Sequence, residues 1–249
     1  MRVFFNLIMS EFQKVRRTPM IWIHSVLSVL IAVMFIFYYR FSYVSSSSKV
    51  SGYLEITSIG FPLIIGIVTG MSVDQEAMAG NFQPLLMTRY KLRSFFSKIC
   101  MLLLLALFSL VLSVGIFAFG MHFIIQDNLF SGIFYGKIIL ILFFSSVFLY
   151  FLHMICSFRF GSGASIGLGI AESLISALML TGLGDRIWQF IPCSFSVRFS
   201  DYYVLVNSYN TDISMDKFKT GIFSCILMTL AIIAISEFWF YRFEGRSED

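Results

Sequence analysis

Long apolar runs separated by short polar breaks set the rhythm of the chain, and six of them are long enough to cross a bilayer. About twenty residues at 1.5 Å each match a hydrocarbon core of about 30 Å. The runs predict transmembrane helices over about 20–39, 53–73, 99–125, 134–155, 163–183 and 221–241. Trp22 near one end of the first run and Tyr38 and Tyr39 at the other fit interfacial aromatic belts. Pro62, Gly66 and Gly70 lie inside the second and predict a kink and close helix packing. Ahead of the first run, residues 1–17 place Phe5, Ile8, Phe12 and Val15 on one helical face and Arg2, Asn6, Ser10, Gln13 and Arg17 on the other. That pattern predicts an amphipathic helix in the membrane interface, broken from the first span by Pro19. The first run begins late, is long and has no small-residue cleavage site, so it reads as a retained span and not a secretory signal. The fold class expected is an all-α membrane protein, one transmembrane domain over residues 1–249.

The longest charged interruption in the first two-thirds of the chain is Met71–Lys98. Asp74 and Glu76 come first, the break Gly80-Asn81-Phe82-Gln83-Pro84 follows, and Arg89, Lys91, Arg93 and Lys98 come last. The loop is longer than two spans need to turn. Leu85, Leu92, Phe96 and Ile99 form an apolar stripe that needs the bilayer or a partner protein to cover it. A second long segment, 184–220, is aromatic and amphipathic, with Trp188, Phe190, Phe195, Phe199, Tyr202 and Tyr203. It reads as an outer segment lying in the interface or re-entering the outer leaflet, as a belt or lid or in contact with an amphipathic substrate.

Composition makes lipid the solvent. The chain is 58% hydrophobic and only 13% charged, and its mean hydropathy is +0.84; soluble domains carry about 25% charged residues. The net charge of +4 is no nucleic-acid signature. Its distribution sets topology: Arg2, Lys14, Arg16, Arg17, Arg89, Lys91, Arg93, Lys98, Arg159, Arg242 and Arg246 fall on one side of the six-span arrangement, eleven of eighteen bases. By the positive-inside tendency that side is cytoplasmic, with both termini inside a plasma membrane.

Candidate chemistry is sparse. Gly136-Lys137 has Ser131 and Ile138 where a phosphate-binding loop needs Gly and Ser or Thr, so the chain does not bind ATP by that motif. His24, His122 and His153 lie in three different spans, and Cys100, Cys156, Cys193 and Cys225 are scattered, so neither a metal site nor any catalytic residue is assigned. The sharpest single residue is Glu172, in the middle of the fifth span. Ser165, Gly169, Glu172 and Ser176 share a helical face, which points the acid into a helix interface as a structural, substrate-path or proton-relay group. In the same span Gly163 and Gly167 form a GxxxG pair and Ser165 and Gly169 repeat the spacing, a pattern expected to let helix backbones approach closely.

The layout resembles the permease subunits of type-2 ABC exporters. Glu76, Ala79, Gly80, Phe82, Gln83, Leu85 and Leu86 are similar to an acid–Ala-Gly–Phe-Gln–Leu-Leu pattern of lantibiotic-immunity permeases, and Tyr53, Leu54 and Glu55 resemble the Tyr-Leu-Glu start of their second span. The resemblance implies a cytoplasmic coupling helix between spans 2 and 3 that docks on a separate ATPase subunit, itself a dimer holding ATP and magnesium. It also implies a second, related but non-identical permease subunit. The load it implies is a lantibiotic, a cationic amphipathic antimicrobial peptide, expelled from the membrane for self-immunity. Carried over by position, Glu76, Gly80, Phe82, Gln83 and Arg89 are the expected ATPase-docking residues. Glu172, Trp188 and Phe190 are candidates for a substrate path from the residue reading alone. Other readings are export of another antibiotic, a lipid or a polysaccharide, a proton-coupled transporter using Glu172, and an intramembrane enzyme.

Overall fold

The computed structural model describes residues 2–16, 18–209 and 216–246; Arg17, read above as part of the basic flank, lies outside the described residues. Its helices are α1 (Arg2–Val15), α2 (Met20–Arg40), α3 (Ser46–Met78), α4 (Gln83–Leu86), α5 (Lys91–Phe123), α6 (Gly132–Phe160), α7 (Ser162–Leu180), α8 (Phe195–Tyr209) and α9 (Asp216–Arg242). Three short 3-10 turns join α7 to α8, and no strand is present among the described residues. Six helices, α2, α3, α5, α6, α7 and α9, are long and apolar enough to span a membrane. The fold is all-α with six membrane-spanning helices, as the apolar runs predict.

The ends of these helices differ from the apolar runs. The third run was expected to begin at residue 99, but α5 begins at Lys91. Its first turns therefore carry Lys91, Arg93 and Lys98, read above as loop, while Arg89 stays outside the helix. Likewise α3 runs from Ser46 to Met78, so Asp74 and Glu76 close a helix and do not open a loop. Hydropathy stops where charge begins, whereas the backbone hydrogen-bond ladder continues into water or into an ion pair. At the other extreme α7, at 19 residues and about 28 Å, ends at Leu180.

Alternating helix directions put the described parts of both termini on one face. There Lys14 of α1 reaches Glu76 near the end of α3, and Arg246 reaches the carbonyls of Ser157 and Phe158 near the end of α6. On the opposite face Tyr53 stacks on Phe117 with ring centroids 3.7 Å apart, and Phe134 stacks on Tyr203. The segment after α7 is at most partly a surface belt: Phe190 is exposed, but most of its aromatic residues turn inward. Trp188 is fully buried against Phe199 and Tyr202, and α8 packs on α3 and α6.

The tightest helix pair is α3 with α7. A Cβ on Gly66 would lie 2.6 Å from the Ser165 carbonyl oxygen, one on Gly70 2.9 Å from the Ser162 Cβ, and one on Gly169 2.8 Å from the Pro62 carbonyl oxygen. Small residues on both helices let the backbones meet where lipid supplies no hydrophobic drive. The expected Gly163–Gly167 pair is not part of this contact, since a Cβ at either position meets only open space. The packing face is that of Ser162 and of the second pair, Ser165 and Gly169.

Candidate functional site

Between α3 and α5 the chain makes a left-handed turn. Gly80, Asn81 and Phe82 have φ of 117°, 48° and 66°. Gly enters this region freely and Asn tolerates it, but for Phe it is an outlier costing about 1–3 kcal/mol. Two features offset that cost. The amides of Asn81 and Phe82 donate to the carbonyls of Ala77 and Glu76, at 2.7 and 3.2 Å. The Phe82 ring is fully buried, 5.5 Å from the Phe158 ring and 5.6 Å from that of Phe243, with the Arg246 guanidinium 5.4 Å from its centroid. Burying such a side chain is worth about 1.5–3 kcal/mol. The Phe82 carbonyl then accepts from the amides of Leu85 and Leu86, which starts the short α4 with Pro84 in its first turn.

The turn thus drives one aromatic side chain inward and its neighbours outward. Ala79, Gly80, Asn81, Gln83 and Pro84 are exposed, flanked by Met78 at 86% and Met87 at 81% exposure. Two nearly free methionines beside a fixed turn make an adaptable apolar tip.

Directly behind the turn sits a lattice of four charges, Glu11, Glu76 and Lys98 buried and Lys14 37% exposed. Lys98 Nζ lies 2.5 Å from Glu11 Oε2 and 2.9 Å from Glu76 Oε1, and Lys14 Nζ lies 2.7 Å from both Glu11 Oε1 and Glu76 Oε1. Gln75 adds a bond from its Nε2 to the Lys14 carbonyl at 3.1 Å. Two acids against two bases leave no net charge, the condition under which ions tolerate loss of water. Burial lowers the Lys14 ammonium pKa, but the hydrogen bonds to Glu11 and Glu76 and the attraction of their charges together outweigh it, so the net shift is above the ordinary lysine value. The lattice ties α1, α3 and α5 together within one turn of the left-handed residues.

The five expected docking residues therefore divide. Gly80, Gln83 and Arg89 face outward. Glu76 and Phe82 are turned into the chain, at 3% and 0% exposure, where they set the turn's position. Sequence reading passed over Met78 and Met87, although two methionines bracketing a polar break are a visible signal. It also passed over Glu11, the one acid on the apolar side of α1 between Ile8 and Val15, and treated Lys98 as a topological charge.

The membrane interior holds a second polar site. Glu172 Oε2 lies 2.8 Å from His153 Nε2, and His153 Nδ1 lies 2.9 Å from Ser165 Oγ. The Ser165 hydroxyl donates to the Gly66 carbonyl at 3.0 Å, which joins α6, α7 and α3. Ser165, Gly169, Glu172 and Ser176 all lie on the buried face of α7, in line with their spacing. The three substrate-path candidates do not share one wall. Trp188 is closed in the core and Phe190 is 59% exposed.

Residues 7–177, well over half of the chain, match the family described as ABC-2 family transporter protein. The matched region runs from α1 into α7 and includes both polar sites. No curated protein matches the chain.

Proposed function

The chain belongs to the ABC-2 family of transporter proteins, and from that premise we propose that it is the permease subunit of an ATP-driven exporter whose left-handed turn docks on the ATPase. It is a multi-pass membrane protein and a transport subunit, not the ATPase itself, and membership implies an ATPase partner. The observation that carries the docking reading is the pairing of a rigid base with an adaptable tip. Phe82 and the four-charge lattice hold the turn from behind, and Met78, Gln83, Pro84 and Met87 present outward. A partner that grips the tip would pull on α3 and α5 together and drive rigid-body motion of the spans.

In this reading the turn and both termini are cytoplasmic, in line with the eleven bases on that side. α1 lies along the inner membrane surface, with Phe5 and Met9 exposed toward the acyl boundary. A second permease, related but non-identical, completes the membrane part. ATP and magnesium are held by the ATPase. The load we favour is a lantibiotic-type peptide, on the strength of the Glu76–Leu86 pattern and of Tyr53-Leu54-Glu55.

Co-purification tests the docking. Met78→Glu with Met87→Glu places two charges on the tip without touching the core. The ATPase is expected to be lost from the purified complex while the permease still reaches the membrane. Full retention of the ATPase by that variant overturns the assignment. Tolerance of a cationic lantibiotic, raised by the intact complex and not by the variant, tests the load separately.

A further inference from the structure

On the face that carries both termini, α6 and α9 part to leave an open cleft of about 800 Å³. Among the described residues its charged lining is Arg159, Arg242, Arg246 and Glu244, three guanidiniums to one carboxylate. Arg159 and Arg242 are exposed, and among the described residues neither is in a salt bridge. Each lies instead over its own ring: Arg159 5.3 Å from the centroid of Phe160, Arg242 4.3 Å from that of Phe238. Arg246 is fixed by donating to the Ser157 carbonyl at 2.8 Å. Below the charges the wall is apolar and open, with Phe160, Ile235 and Phe238 at 66%, 57% and 61% exposure. Arg159 and Arg242 stand at the ends of two membrane-spanning helices, so the cleft has charge at its rim and apolar surface toward the membrane interior.

We propose that this cleft holds one anionic phospholipid of the leaflet on the terminal face, its phosphate between Arg159 and Arg242 and its chains along Ile235 and Phe238. The guanidinium is the side chain best matched to a phosphodiester, through paired N–H donors in a fixed fork. Basic pockets between spans at this level recognise acidic head groups. A protein in this cleft would have to bring acids of its own to answer three guanidiniums set against one carboxylate, so it is an outcome of the test below and not the occupant proposed. Packed between the ends of α6 and α9 and next to Arg246, which roofs Phe82, the lipid would brace the same turn from its other side.

Native mass spectrometry of the full complex in detergent, without nucleotide, tests this directly. The probes are dioleoyl phosphatidylglycerol, dioleoyl phosphatidylcholine and water-soluble sn-glycerol 3-phosphate. Phosphatidylglycerol is expected to be retained at one per copy of this chain, and the other two are not. Each base near the surface contributes about a fivefold factor, so Arg159→Gln with Arg242→Gln should weaken retention roughly 30-fold at low salt. Arg159→Gln alone, which disturbs only an exposed side chain, should weaken it about fivefold. Equal retention by wild type and variants overturns the site. So does equal retention of phosphatidylcholine, or binding of glycerol phosphate as strong as that of the lipid. High-yield disulfide cross-linking of Arg242→Cys to another chain in membranes would show a protein on this surface and overturns it as well. None of these readouts involves ATP or a transported load, so the lipid site and the export reading fail separately.

Discussion

Lys98 and Glu76 meet at 2.9 Å with side-chain exposures of 1% and 4%, an ion pair almost sealed from water at the foot of the left-handed turn. Removing one partner of such a pair strands the other. Lys98→Met would leave Glu11 and Glu76 facing each other with Lys14 alone between them. A loss of about 3–5 kcal/mol is expected. Glu76→Gln combined with Lys98→Met should recover part of it, because no uncompensated carboxylate remains at that corner. Denaturant unfolding of the purified chain measures both, and equal stability of Lys98→Met and wild type would remove the lattice from the account.

Lys14 gives the lattice a pH dependence with a definite sign. Its folded pKa is raised above the ordinary 10.5. The pairing therefore stabilises fully below that value and is lost as pH rises through the higher, folded one. Docking of α1 should be constant from neutral pH to about 10 and weaken only beyond. Lys14→Arg, whose guanidinium stays charged, should hold α1 beyond that point, and Lys14→Met should loosen it at every pH. Proteolytic release of α1, followed against pH, reports it; release that begins near neutrality contradicts the assignment.

The glycines of α3 and α7 predict opposite results from the same substitution. Gly169→Ala sets a methyl 2.8 Å from the Pro62 carbonyl oxygen, and Gly66→Ala one 2.6 Å from that of Ser165. Backbone cannot yield as a side-chain tip does, so each should cost about 1–3 kcal/mol. Gly163→Ala and Gly167→Ala, where nothing is within reach, should be neutral or slightly stabilising. Thermal unfolding of the four variants in one detergent is the comparison, and a cost at Gly163 equal to that at Gly169 would refute the observed packing face.

The roof over Phe82 is testable by truncation. Phe243 and the Arg246 guanidinium both lie against its ring, and Lys91 bonds the carbonyls of Tyr241 and Phe243. Ending the chain at Arg242 removes two of the three groups packed on a side chain held at positive φ and leaves only Phe158 to keep it inward. The ATPase should still bind the exposed methionines, but its hydrolysis should no longer depend on the permease's load. ATPase assays of the complex with and without peptide check this.

These results show which parts of the molecule were legible beforehand. Six spans were readable because lipid demands long apolar runs, and the face of Glu172 was readable because helical spacing places Ser165 and Ser176 beside it. The inward turn of Phe82 was not, since three consecutive positive φ values leave no hydropathy trace. Lys98 looked like any base flanking a span. Its burial depends on Glu11, which lies 87 residues earlier and carries no sequence mark of that pairing. Trp188 looked like a belt residue because an aromatic that faces lipid and one that faces α8 have the same composition.

Hydrogen-bond accounting places the protons around Glu172. The Ser165 hydroxyl has one proton, and its 3.0 Å contact with the Gly66 carbonyl oxygen claims it. The nearby Thr69 hydroxyl donates to the Ile65 carbonyl at 2.6 Å, so it offers Ser165 no proton. His153 Nδ1, 2.9 Å from Ser165 Oγ, must then be the donor of that pair. One further proton lies between His153 Nε2 and Glu172 Oε2, at 2.8 Å. Whichever atom holds it, acid and imidazole together carry no net charge, which suits a site inside the membrane. Glu172→Gln can reproduce the pattern by donating an amide N–H to Nε2. It is expected to keep both stability and transport within about twofold, given the small net worth of one neutral hydrogen bond exchanged for another. Glu172→Ala leaves Nε2 unpaired in the core and should cost about 1–3 kcal/mol. Peptide-tolerance assays and unfolding of the two variants separate the roles. Normal stability with abolished transport in Glu172→Gln would mean that the proton between His153 and Glu172 must leave, and that the pair is a relay and not a tie between α6 and α7.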